Sequence, residues 1–347
     1  MRLPLVLLPI ALVAAACSGA AAAPDPVTIT SAQVPDSTTT TTLPPTTTTT
    51  SSTTTTTVDT RPTAPLTGVK GTVSDQQVLI VKLSNADKGR PQAGVNQADL
   101  VMEVLVEGGI GRWLAVFQTE YPETVGPVRS LREVDPKLIG PFDARLLSSG
   151  GQPAVRRDIA KVAVDESDGR ITGYYRERGR PSVYDLMFDT EDLPDLDWEG
   201  TVEPLLEFDS KPAEGGETAR EIEVRMSSRN QFSWTFDHGR YFRFQDGEAS
   251  VDADGVEISA DSIVVVFVRQ ISTGRVDAAG SPVPDYEVTG SGEAAVIRDG
   301  LAFPAEWHRD TEDDFFTFLN EAGDVIPLAP GRTWIHFTPT TGSLGWE

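Results

Sequence analysis

The sequence predicts an α+β protein: a mixed α/β first domain, then a β-rich second domain, carried behind a disordered Thr/Pro-rich stalk. Three observations predict it. Residues 144–164 read as strand, Gly-rich turn, helix and strand, a βαβ-like unit. Beyond residue 218, short runs of β-branched and aromatic residues alternate with turn signals such as Asp246-Gly247, Asp299-Gly300 and Pro330-Gly331, the pattern of an antiparallel β domain. Residues 18–65 contain runs of five Thr at 38–42, 46–50 and 53–57, interspersed with Pro, and offer little with which to build a core. The expected divisions are 1–17 for a signal segment, 18–65 for the stalk, 66–190 for the first domain, 191–217 for an acidic linker and 218–347 for the second domain.

The amino terminus supplies the cellular setting. Met1-Arg2 is followed by an apolar stretch to Val13, then by Ala14-Ala15-Ala16-Cys17. Charge, apolar run and small residues are the layout of an export signal, and the run is too short to span a membrane, which needs about 20 apolar residues. Small residues leading into a cysteine resemble a lipobox, although Ala14 stands where Leu is usual. Cys17 is the only cysteine of 347 residues, so the chain has no internal disulfide, and its place predicts lipidation. The protein is then exported and held at the outer face of the cytoplasmic membrane by the lipid on Cys17. The stalk gives reach.

Composition narrows the partners. A formal net charge of -23 argues against nucleic acid, whose phosphates require surplus Lys and Arg. No cofactor signature is present. GxxxxGK[ST], HExxH and GxSxG are all absent from the sequence, which removes the mechanisms those spacings support. Asp252, Asp254, Glu257 and Asp261 have the wrong spacing for an EF-hand, and no metal is expected. The three histidines are His238, in a hairpin turn, His308, in a polar stretch, and His336, which shares a strand face with Trp334. Trp113, Trp307 and Trp334 read as core or hairpin packing in preference to sugar-stacking platforms.

The candidate site is assembled from the first domain. Residues 78–83 read as a buried strand, and 99–107 with 112–120 as a hairpin. Strand alternation puts Glu103 and Glu107 on one face. Residues 126–139 read as a helix opening, with Arg129, Arg132 and Asp135 on one side. Two guanidinium forks on one face hold a carboxylate or phosphate, or else pair with the two glutamates. Ser148-Ser149-Gly150-Gly151 leads from a strand into a helix beginning at Pro153, a turn that presents free N–H groups. The candidate ligand-binding residues are Glu103, Glu107, Arg112, Arg129, Ser130, Arg132, Asp135, Ser149, Gly150 and Gly151, and no catalytic residue is assigned.

RPQAGVNQADLVMEVLVEGGIGRWLAVFQ (90–118), VGPVRSLREVD (125–135) and SSGG (148–151), followed by FSWTFDHGRYFRF (232–244), IVVVFVRQ (263–270), GSGEAAVIRDG (290–300) and PGRTWIHFTP (330–339), together resemble the YerB-like bacterial lipoproteins. The resemblance runs from about residue 66 to the end. It implies a two-domain, membrane-anchored envelope protein with a mixed α/β first domain, a β-rich second domain and no established reaction. Where the family pattern carries Pro-His-Asn-Leu-Tyr, this chain has Pro181-Ser182-Val183-Tyr184, and the missing His weakens an enzymatic reading. The function expected is binding of an envelope component, such as a wall glycan or a partner protein, through an Arg/Glu-lined cleft. The alternatives are a hydrolase or transferase acting on an envelope glycan or phosphodiester, and an assembly factor acting through the β domain.

Overall fold

The computed structural model describes residues 60–71, 73–277 and 280–347. Cys17 and nearly all of the expected stalk lie outside these residues. The stalk's expected end at 65 falls inside the folded region, because Thr63 bridges Lys70 and Ala64 is buried.

The first half builds β1 (Leu79–Ser84), β2 (Leu100–Leu105), β3 (Gly111–Phe117), α1 (Asp135–Ile139), β4 (Ala144–Leu147), α2 (Pro153–Val162) and β5 (Ala163–Asp165). β2 and β3 form the expected hairpin, and β1 adds to it antiparallel. β4 and β5 then join β1 in parallel, with α2 as the crossover. Pro153 opens α2 where its missing N–H costs nothing. The helical stretch expected from residue 126 is confined to α1. The extended segment 128–131, in which the Val128, Arg129 and Leu131 N–H groups bond to the Leu186, Lys82 and Gly150 carbonyls, leaves no helix ahead of it. Among the described residues the α/β character of this half thus reduces to the βαβ crossover through α2, and strand predominates.

The second half contributes β6 (Glu221–Ser227), β7 (Asn230–Asp237), β8 (Arg240–Gln245), β9 (Ser262–Val276), β10 (Gly290–Arg298), β11 (Leu301–Arg309), β12 (Thr317–Leu319), β13 (Thr333–Pro339) and β14 (Ser343–Trp346). Most pairings are antiparallel, as the turn signals require. The exception is β13, which runs parallel to β9 on one side and to β2 on the other. One sheet therefore crosses both halves in the order β12-β11-β10-β9-β13-β2-β3-β1-β4-β5. Residues 193–216 contain no strand, yet they are held down: Arg298 donates to the Asp209 carbonyl at 2.8 Å and to that of Lys211 at 2.7 Å.

A smaller sheet, β8-β7-β6-β14, covers the middle of the large one. Their shared layer is aromatic: Trp334 meets Trp113 edge-on at 5.0 Å and Trp234 at 5.2 Å, and Phe232 stacks on His336 at 4.4 Å. Trp113, Trp307 and Trp334 are buried, as core packing predicts. The opposite face of the large sheet, at β1 and β3, carries α1, and Lys82 reaches Asp135 there.

Candidate functional site

Strand alternation separates two polar clusters onto opposite faces of the large sheet. The first is the predicted set, less one member. Lys82 on β1 and Arg112 on β3 project toward the loop 129–135. Lys82 Nζ donates to Asp135 Oδ1 at 2.7 Å, and both groups are fully buried. The Arg132 amide donates to Asp135 Oδ2 at 2.7 Å, and Arg132 Nε to Glu107 Oε1 at 2.5 Å. Arg112 and Arg132 converge on one carbonyl, that of Ser130, at 2.6 and 3.4 Å. Ser130 Oγ lies 2.9 Å from Ser149 Oγ. The Ser149 amide donates to the Arg129 carbonyl, and the Leu131 amide to the Gly150 carbonyl. These bonds dock the turn after β4 against the arginine loop.

Gly150 sits at φ +92°, and Cβ at Gly151 would fall 3.2 Å from Leu131 Cβ. The first position favours glycine on backbone grounds and the second on contact grounds. Arg129 is the most peripheral member; its guanidinium lies over the Tyr184 ring at 5.0 Å and donates to the Val183 carbonyl.

Glu103 does not belong to this group. β2 ends at Leu105, and Glu107 lies in the 3-10 turn Glu107–Gly109. The strand alternation that would align the two glutamates is therefore broken between them. Glu103 points into the aromatic layer between the sheets. Asn85 and Asn230 donate to its Oε1 at 2.9 and 3.0 Å. Its Oε2 lies 3.5 Å from Arg243 Nη2 and 3.2 Å from His336 Nδ1. Trp234 Nε1 donates to His336 Nε2 at 3.2 Å, leaving the ring proton on the Nδ1 side facing Glu103. Burial pushes the Glu103 carboxyl up, but the Arg243 guanidinium, helped by His336 and Asn230, outweighs it and holds the group near 2. Burial pushes His336 down, opposed by Glu103.

The electrostatics of the first cluster are one-sided. Lys82, Arg112, Arg129 and Arg132 gather around two carboxylates, Glu107 and Asp135. Burial, reinforced by Arg132 and Arg129, pushes Arg112 down to about 9. Burial pushes Lys82 down to about 8 against the pull of Asp135, with Arg112 and Arg132 adding to the depression. Four cations against two anions leave an uncompensated positive excess, in a chain whose net charge is -23. Both carboxylates are tied to cations. Among the described residues no His, Asp, Glu, Cys group has the geometry to hold a metal ion.

Sequence reasoning missed Lys82, Arg243 and His336 as partners. The available signal for Lys82 was a lysine inside the apolar run VLIVKL, since an unpaired buried ammonium is not tolerated. For Arg243, alternation along 240–245 places it with Tyr241, on the inward face.

The two halves match two models of one family, described as "Protein of unknown function (DUF3048) N-terminal domain" over residues 66–199 and "Protein of unknown function (DUF3048) C-terminal domain" over 222–335. A relative named as a lipoprotein, YerB of Bacillus subtilis (strain 168), is 29% identical over 294 residues, which span 80% of this chain and 86% of that one. The chain belongs to the YerB-like family. The crystal structure of Bacillus subtilis YerB superposes with a TM-score of 0.70 at 26% identity, covering 82% of this chain and all of that one. The YerB-like fold and family membership are thus established together.

Proposed function

We propose that this YerB-like protein is an exported lipoprotein, anchored through Cys17, that binds an anionic group of a cell-envelope component or partner. The observation that carries the proposal is the cation excess around Ser130 and Ser149. Arg112 and Arg132 share one carbonyl acceptor, and their remaining donors are not all consumed by Glu107. Guanidinium forks in this state suit a phosphate or carboxylate, and the Ser130 and Ser149 hydroxyls add donors. The site sits beyond the carboxyl ends of the parallel strands β1 and β4, where sheets of this kind usually hold ligands. An acidic protein with a basic cluster directs an anion to that cluster. Binding is favoured over turnover because Glu107 and Asp135 are ion-paired and Glu103 lies on the other face of the sheet.

The test is a thermal-shift titration with inorganic phosphate and glycerol 3-phosphate, with glycerol as the neutral control. A ligand at about 100 times its Kd adds roughly 2.7 kcal/mol, a rise of several degrees. The shift is expected with both phosphates, absent with glycerol and lost in Arg129→Ala/Arg132→Ala. An unchanged shift in the double variant sinks the assignment.

A further inference from the structure

Basic residues continue beyond the Ser130 site. Residues 126–180 hold eleven Lys and Arg against eight Asp and Glu, while the rest of the chain holds 18 against 44. Contacts join the solvent-accessible members of this set in succession. Ser148 Oγ lies 2.6 Å from Ser167 Oγ, which ties the turn after β4 to the segment after β5. There Arg156 Nε and Arg170 Nε lie 3.6 and 3.0 Å from one oxygen, Asp165 Oδ2. The other oxygen accepts from the Ser167 amide at 3.1 Å. One buried carboxylate thus faces two guanidiniums, whose side chains are 32% and 47% exposed.

From the same turn the contacts also run through Arg129, whose carbonyl accepts from the Ser149 amide. Arg129 rests on Val183 and Tyr184, and the loop that carries them also carries Arg178 and Arg180. Arg178 is exposed and pairs with no carboxylate among the described residues. Of the carboxylates along this strip, Glu177 is held by Arg180, and Asp168 stands exposed near Arg170 in the chain.

Resting on the anion-binding reading above, we infer that the ligand is a polyanion, a chain of phosphodiester-linked units. Its successive phosphates lie against Arg156 and Arg170, then Arg112 and Arg132 at Ser130, then Arg129 and Arg178. A single phosphate at Ser130 would leave Arg156, Arg170 and Arg178 facing solvent. A polymer engages them all, and each contact after the first is intramolecular. Every cation named along the strip is an arginine, whose planar fork matches the two free oxygens of a phosphodiester. The Ser130 and Ser149 hydroxyls add donors.

The test is isothermal titration calorimetry of the purified full chain with inorganic phosphate, long-chain polyphosphate and poly-L-glutamate, each scored per charge. Polyphosphate is expected to bind at least about a hundredfold tighter per phosphate than inorganic phosphate. Its affinity is expected to fall at least about tenfold between about 50 and 200 mM NaCl. Arg170→Gln/Arg178→Gln is expected to lower the ratio of polymer to phosphate affinity at least about fivefold, at an unchanged melting temperature. Arg178→Gln alone, which leaves the Asp165 pairs intact, is expected to lower it by a smaller factor. Polymer binding that survives Arg129→Ala/Arg132→Ala overturns the site on which the inference rests. Phosphate binding that needs Arg129 and Arg132, with a polymer no tighter per phosphate or indifferent to both Gln variants, overturns the polymer and keeps the single-anion site. Tighter binding of poly-L-glutamate overturns the phosphate assignment in favour of an acidic polypeptide.

Discussion

Glu103 shows how one residue's environment can invert its expected role. Proposed from its sequence position as a cleft carboxylate, it is the hub of a buried network joining β2, β8 and β13 through Arg243 and His336. Removing one partner of a buried ion pair leaves the other charge unpaired, which typically costs about 3–5 kcal/mol. Glu103→Gln keeps the shape and strands Arg243. Its unfolding free energy is expected to fall by that amount, read as a lower urea midpoint at an unchanged slope. The pH dependence follows from the same groups. His336 binds its proton less readily in the fold than its ordinary value of 6.5, so the unfolded chain takes up more protons below that pH. Stability therefore falls with pH there. Glu103, held near 2 against an ordinary 4.5, contributes stability that is present above 4.5 and lost as pH falls toward 2. Measured as wild type minus Glu103→Gln, the stability difference should shrink across that lower window, and a difference constant from pH 5 to 2 would refute the assignment.

At the scale of elements, the large sheet depends on β13. Every residue of Thr333–Pro339 is buried, and the strand is hydrogen-bonded on both edges. Deleting residues 333–347 exposes the edges of β2 and β9 at once, and such edges invite aggregation. The truncated chain is expected to lose cooperative unfolding by circular dichroism and to aggregate on size exclusion. A folded monomer would contradict the shared-sheet account. Local signals made much of the fold legible: the β2–β3 hairpin, the crossover through α2 and the turns at Asp246-Gly247 and Asp299-Gly300. They did not reveal β13's partners, because alternation and turn residues encode a strand's faces and ends but not which distant edge it meets. The same limit applied to the site. Glu107, Arg112, Ser130, Arg132, Asp135 and the Ser149–Gly150 turn come together as the sequence suggests. Glu103 departs because alternation holds only while the strand lasts, and β2 stops two residues short of Glu107. The helix expected across Arg129 and Arg132 gives way to extended backbone at Gly126-Pro127.

At the scale of the whole molecule, the two family-matched halves meet through long-range side-chain ties as well as the sheet. Lys137 on α1 pairs with Asp285 at 2.9 Å, and Asn96 donates to Asp252 at 2.7 Å. The proposed export and anchoring bear on the same whole. Cys17→Ala is expected to move the protein from the membrane fraction to the medium on cell fractionation while leaving the melting temperature unchanged, because Cys17 lies more than 40 residues along the chain from the described residues, which begin at 60. Retention of the variant in the membrane fraction would remove the lipid anchor from the proposed function.

The separation of β13 from β2 along the chain also sets a timetable. The strand that seats against β2 is made more than 200 residues after it. Until it arrives, the β2 edge has nothing beside it, however long ago the first half emerged. Parallel pairing across more than 200 residues closes slowly. A product cut short before residue 333 never completes its central sheet, and it presents open strand edges for proteases to find. The fold thereby links its own completion to the synthesis of β13.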